Sequence, residues 1–157
     1  PEPVFQPPPM VANAPGGDST CMPTSHASAP TTGAPLKVFL ADDSALIRDR
    51  VAAMLCAQGM SIAGEAATPA DCIHAILSTH PDVVVLDVQL EGGTGLQVLQ
   101  AVHAAAPDIS FVVFSNAAGP AYRKRYLGAG ATGFLDKNAE FAQLARAVNR
   151  ASLRTRH

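Results

Sequence analysis

No apolar run in this 157-residue chain approaches the roughly 20 residues needed to span a bilayer. The N-terminus shows neither the basic nor the apolar segment of a secretory signal. An excess of one charge is also missing: 11 Lys and Arg against 13 Asp and Glu leave a formal charge of −2. That balance excludes an attraction to nucleic acid or anionic membranes strong enough to define the function. The three cysteines, Cys21, Cys56 and Cys72, contain no CxxC pair, and an odd number cannot close a disulfide framework. The expectation is a reducing, cytoplasmic setting. The five histidines show no metal-ligand spacing, and no Ser-His-Asp or Cys-His arrangement is visible.

Proline is distributed unevenly. Residues 1–35 hold nine of the 13 prolines and only two charged residues, Glu2 and Asp18. Such a segment buries too little apolar surface to offset its ordering entropy, so a disordered N-terminal arm is expected over 1–35. Beyond it, short apolar runs alternate with helical patterns. Strands are expected at 37–41, 60–66, 82–88, 109–115 and 132–136. Helices are expected behind Ser44, where Leu46, Ile47, Val51, Met54 and Leu55 recur at helical spacing, and at roughly 69–79, 95–105, 120–129 and 138–153. Pro81 and Pro107 each precede a strand, where a helix must already have ended. Five strands alternating with five helices define an α/β fold, a doubly wound five-stranded parallel sheet over residues 36–153 covered on both faces. Residues 154–157 form a short C-terminal tail.

In such a sheet the ligand site lies beyond the carboxyl ends of the strands. Asp42 and Asp43 follow the first strand, Asp87 ends the third, Ser115 ends the fourth and Lys137 follows the fifth. Adjacent carboxylates at a strand end repel unless a cation or proton offsets them. Three carboxylates with one ammonium make an oxygen-rich site suited to Mg²⁺, which takes a few carboxylates plus waters. A hydroxyl and an ammonium opposite the metal suit the oxygens of a phosphoryl group. Asp87 is the natural acceptor, because a carboxylate can take a phosphoryl group to give an acyl phosphate. The glycines of "EGGTG" follow the third strand without a placed ribose partner, so they form no dinucleotide fingerprint.

These residues resemble a known family. "ADDS" after the first strand, "VVVLDV" with its terminal Asp87, Gly95 eight residues on, "FS" closing the fourth strand and "GAGATGFLDK" are similar to the receiver domain of bacterial two-component response regulators. The resemblance spans residues 36–153 and implies a flavodoxin-like sheet of strand order 2-1-3-4-5. It implies phosphorylation of Asp87 by a histidine kinase or phosphotransfer protein. It also implies Mg²⁺ bound directly by Asp43, through water by Asp42, and by Asp87 and the backbone carbonyl of Gln89. Ser115 and Lys137 would hold the phosphoryl oxygens, and Phe134 would be a switch aromatic turning inward when Ser115 moves. Such a domain is a phosphoacceptor rather than an enzyme, beyond Mg²⁺-dependent self-phosphorylation and autodephosphorylation.

Three positions depart from the commonest pattern. Glu91 stands where many receivers carry proline, which leaves its loop less fixed; Asn116 replaces a smaller residue; and Phe134 lacks the hydroxyl of the frequent tyrosine. Only "RTRH" follows the fifth helix, so the expectation is a stand-alone receiver with no direct nucleic-acid or membrane binding. Its output would run through a downstream partner or self-association. The alternatives are a receiver fragment of a larger regulator, such as a transcription factor, and an aspartyl-phosphate phosphatase. The phosphatase would need a second carboxylate that "LDVQL" does not offer two residues on. The expected output surface is the fourth helix, fifth strand and fifth helix, where Arg123, Lys124 and Arg125 face Arg146, Arg150 and Arg154 as a basic stripe.

Overall fold

The computed structural model describes residues 35–155, with side chains through Leu153. The expected arm therefore lies outside the described residues except for Pro35, as does the end of the expected tail. Strand β1 (Lys37–Ala41) leads to helix α1 (Ala45–Ala57), β2 (Ser61–Ala66), α2 (Pro69–Thr79) and β3 (Val83–Leu86). Two short strands, β4 (Gln89–Leu90) and β5 (Gly93–Thr94), precede α3 (Gly95–Ala105), β6 (Ser110–Ser115), α4 (Pro120–Gly128), β7 (Gly133–Asp136) and α5 (Leu144–Thr155). The main sheet runs β2-β1-β3-β6-β7, all neighbours parallel. With the small hairpin set aside, that is the expected 2-1-3-4-5 order.

The period of two along each strand sends alternate side chains to opposite faces. Phe39, Val84, Leu86, Phe111 and Val113 meet Ile76 of α2, Leu99 of α3 and Tyr126 of α4. Val38, Leu40, Val85, Val112 and Phe114 meet Leu55 of α1 and Leu144 and Val148 of α5. Every residue of β3 and β6 is buried, which explains their unbroken apolar runs. Helix starts follow local chemistry. Ser44 Oγ accepts from the Ile47 amide, and Thr68 Oγ1 accepts from the Asp71 amide, with Pro69 opening the first turn of α2. Among the described residues no helix is long and apolar enough to cross a membrane.

Three expectations change. Leu46 fits the apolar spacing of α1 yet is 66 % exposed. The final helix does not begin at 138: Asp136 Oδ1 accepts from the Asn138 and Ala139 amides, and a 3-10 turn at Phe141–Gln143 precedes α5. A short aspartate side chain competing for backbone amides delays the helix. Glu91 is not loosely held. Its loop is the β4–β5 hairpin, Gly92 sits at φ 80°, and the Glu91 amide donates to Ala67 O at 2.8 Å, a bond that proline could not make. Glu91→Pro should therefore destabilise the fold by about 1 kcal/mol, measured by denaturant unfolding; an unchanged midpoint would remove this role. Burial also pushes the free Cys72 thiol up to about 12, with neighbouring Asp71 adding to the rise.

Candidate functional site

Parallel register carries the polar residues to one edge. Ala41 pairs with Leu86, Leu86 with Val113, and Ser115 with Asp136. The next residues, Asp42, Asp87 and Lys137, leave their strands side by side. Carboxylate oxygens of Asp42, Asp43 and Asp87 lie within 4.8 Å of one another. The two adjacent aspartates are not equivalent: Asp42 is 6 % exposed, whereas Asp43 faces solvent. Lys137 Nζ reaches Asp42 Oδ2 at 2.6 Å and Asp87 Oδ2 at 3.0 Å.

The other oxygen of each of Asp42 and Asp87 accepts from a backbone amide. Asp42 Oδ1 accepts from the Ser44 amide at 2.9 Å, and Asp87 Oδ1 accepts from the Gln89 amide at 3.3 Å. Burial opposes charge on both partners of the Asp42–Lys137 pair. For Asp42 it wins: desolvation holds the carboxyl above its ordinary value despite the Lys137 and Ser44 hydrogen bonds, and neighbouring Asp87 adds to the rise. For Lys137 burial pulls downward, but Asp42 and Asp87 together outweigh it and keep the ammonium above its ordinary value. The pocket is thus rich in carboxylates, and one ammonium does not balance it. This donor set fits a hard divalent cation such as Mg²⁺.

Two supports were not legible as site residues. Arg48 of α1 donates to the Asp42 carbonyl and pairs with Glu65 of β2 at 2.7 Å, so it ties the acidic turn to the neighbouring strand. Its spacing from Asp42 gives no hint of Glu65, which lies 17 residues away. Gly95, quoted only as part of a motif, has a physical reason to be glycine. Its amide donates to Val88 O at 2.8 Å, and a Cβ there would overlap the carbonyl oxygen of Asp87. Gly95→Ala should destabilise the protein by about 1–3 kcal/mol through displaced backbone, read by urea unfolding. Wild-type stability in that variant would show that the turn yields freely.

Among the described residues no hydrogen bond joins Ser115 to the carboxylates, and Phe134 has no side-chain group to form one. Ser115, 2 % exposed, accepts from the Ala117 amide at 3.1 Å through Oγ, and its carbonyl accepts from the Lys137 amide. Phe134 already lies inward at 5 % exposure, edge-on to Tyr126 with centroids 6.0 Å apart. The expected basic stripe is also interrupted. Arg123 is engaged with Phe134 O and Glu140, whereas Lys124, Arg125, Arg146 and Arg150 are exposed and the Arg154 side chain lies outside the described residues.

A parallel α/β sheet carrying three aspartates and a lysine at its carboxyl edge is the arrangement that the sequence resemblance implies. A family model for the response regulator receiver domain matches residues 38–149, and the chain belongs to that family. It is 31 % identical over 114 residues to the response regulator GacA of Pseudomonas aeruginosa, covering 72 % of this chain and 53 % of that protein. It is likewise 31 % identical over 114 residues to the DNA-binding transcriptional activator DevR/DosR of Mycobacterium tuberculosis, covering 72 % and 52 %. Among solved structures, the signal receiver domain of the putative response regulator NarL from Mycobacterium tuberculosis superposes with a TM-score of 0.69 at 30 % identity, covering 77 % of this chain and 98 % of that one. The chain spans about half the length of the curated relatives it matches. It is a receiver domain of two-component signalling.

Proposed function

We propose that Asp87 is the phosphoacceptor, taking a phosphoryl group from a histidine kinase or histidine phosphotransfer protein in the cytoplasm. The carrying observation is the juxtaposition of Asp87 with Lys137 at 3.0 Å inside a cluster of three carboxylates. An Asp87 carboxylate oxygen attacks phosphorus, the bond from phosphorus to the donor atom breaks, and the donor leaves with that electron pair. Asp42, Asp43, Asp87 and the Gln89 carbonyl would hold Mg²⁺, which when bound neutralises carboxylate and phosphoryl charge. Lys137 is placed to donate to a phosphoryl oxygen, exchanging one of its two carboxylate contacts for it. Ser115 Oγ can donate its hydroxyl proton to such an oxygen while a lone pair still accepts from the Ala117 amide.

In this reading the domain has no catalytic role beyond self-phosphorylation and autodephosphorylation, and it does not bind nucleic acid itself. Its output is a protein partner, or a second copy, met through α4, β7 and α5. Exposed Tyr122, Lys124, Arg125 and Leu127 on α4 offer such a partner cations beside apolar surface. The length of the relatives favours one variant of this reading, in which the domain belongs to a larger regulator and acts on an attached output domain. The test is mass spectrometry after incubation with acetyl phosphate and Mg²⁺. One added phosphoryl group on the peptide containing Asp87 is expected, and its absence from the folded, Mg²⁺-supplied protein would overturn the assignment.

A further inference from the structure

Asp43 is the exposed member of the three carboxylates, and among the described residues no hydrogen bond reaches its side chain. Its carboxylate nevertheless stands within 4.8 Å of the oxygens of Asp42 and Asp87, so its place depends on the backbone that carries it. That backbone is held on both sides. Before it, the Asp42 amide donates to Ala66 O at 3.2 Å, and the Asp42 carbonyl accepts from Arg48 Nη1. After it, the Ser44 amide donates to Asp42 Oδ1 at 2.9 Å, and Ser44 Oγ accepts from the Ile47 amide. Of these bonds only the one from Arg48 Nη1 reaches the carbonyl of the Asp42–Asp43 peptide unit. That unit is planar, so fixing its carbonyl fixes the direction in which the Asp43 backbone leaves it. Arg48 is itself anchored. Its Nε donates to Glu65 Oε1 at 2.7 Å, and with 18 % of its side chain exposed the guanidinium bridges α1, the end of β1 and β2. A planar fork donates in two fixed directions, which a lysine ammonium does not.

We propose that Arg48 is a positioning residue for the metal pocket: by fixing the Asp42–Asp43 peptide unit against β2 it raises the affinity of the pocket for a divalent cation, although it is itself a cation. The proposal rests on the reading of Asp42, Asp43 and Asp87 as Mg²⁺ ligands. Charge and geometry act here with opposite signs. A guanidinium close to the acidic cluster repels an incoming cation, so on charge alone its removal tightens binding. Loss of the hold weakens binding, because Mg²⁺ demands near-ideal octahedral geometry and Asp43 has no side-chain bond to keep it in place. A loosened Asp43 must be ordered when the ion binds, and that cost is subtracted from the affinity. Residues that hold a metal ligand in this indirect way change metal affinity by about 10- to 100-fold. Glu65 separates charge from geometry a second time. Glu65→Gln and Glu65→Ala delete the same charge, but only glutamine leaves an oxygen to accept from Arg48 Nε.

The test follows the backbone amides of the isotope-labelled full chain during titration with Mg²⁺. In the wild type the Asp43, Asp87 and Gln89 amides should move together and give one dissociation constant. Arg48→Met should raise it about tenfold, and Glu65→Ala should raise it as well. Glu65→Gln should stay within about twofold of the wild type, since the charge it loses is 38 % exposed and screened by salt. Before any Mg²⁺ is added, the Ser44 amide of Arg48→Met should exchange with solvent faster than in the wild type, while Val84 and Val112 in the sheet keep their protection. That pattern separates a loosened turn from a loosened fold. An Arg48→Met protein that binds Mg²⁺ as tightly as the wild type, or more tightly, would overturn the proposal. Equal dissociation constants for Glu65→Gln and Glu65→Ala would do the same, and this pair decides if Arg48→Met does not fold. If Mg²⁺ moves no amide near Asp43 in the wild type, the metal reading falls and the affinity role with it. Unchanged Ser44 exchange in Arg48→Met beside a wild type that responds to Mg²⁺ removes the positioning role alone.

Discussion

Replacing Asp87 with asparagine should abolish phosphoryl incorporation from acetyl phosphate while leaving the fold intact. Asparagine has nearly the same shape, and its side-chain oxygen can still accept from the Gln89 amide, which now donates to Asp87 Oδ1 at 3.3 Å. The amide nitrogen that replaces Oδ2 cannot accept from Lys137 Nζ, so Lys137 keeps only Asp42 at 2.6 Å. Removing one of three clustered carboxylates also relieves repulsion. The metal-free variant should therefore melt at or above the wild-type temperature. Loss of labelling then reflects loss of the nucleophile, since a carboxamide oxygen is too weak a nucleophile to yield an acyl phosphate. Mass spectrometry on both proteins, alongside their melting curves, checks this. Undiminished labelling of Asp87→Asn would move the acceptor elsewhere.

Asp87 could be singled out in the sequence as the proposed acceptor because its position follows from a simple rule. In buried parallel strands, a charged residue that interrupts "VVVL" can only mark the strand end. Asp42, Asp87 and Lys137 are each punctuation of this sort, so strand order brought them together. Other parts of the site lack such a signal. The β4–β5 hairpin is two residues per strand, too short for any alternation to show. Leu46 obeys the apolar spacing of α1 and still faces solvent, because spacing defines a stripe but not which end of it the sheet covers. The grips of Arg48 on Glu65 and of Arg123 on Glu140 join residues 17 apart in each case. Only the folded arrangement selects them from several equally spaced charges. The inward position of Phe134 was hidden for the same reason, since its partners Arg123 and Tyr126 sit on a different element.

Removing the lysine of the acidic pocket should have the largest effect on stability. In Lys137→Met, Asp42 and Asp87, both 6 % exposed, lose their common counter-ion. Stripping one partner from a buried ion pair costs about 3–5 kcal/mol; the low end applies here, because Asp43 opens the pocket to solvent. The pH dependence has two parts with defined signs. Folded Lys137 is held above 10.5, so its contribution to the wild type is complete below that value and disappears as pH rises through the folded one. The variant should lack this alkaline limb. Folded Asp42 is held above 3.8, so its ionisation weakens the fold at neutral pH, and protonation relieves this as pH falls through the folded value. Without Lys137 that value rises further, and the variant should gain stability on mild acidification more than the wild type does. Saturating Mg²⁺ replaces the missing positive charge. At a hundredfold excess over its dissociation constant it contributes about 2.7 kcal/mol by mass action, recovering much of the loss. Urea unfolding of both proteins across pH 5 to 11, with and without Mg²⁺, measures each part. Equal stability of Lys137→Met and the wild type without metal, or no gain with Mg²⁺ in either, would mean that the three carboxylates do not share one electrostatic pocket.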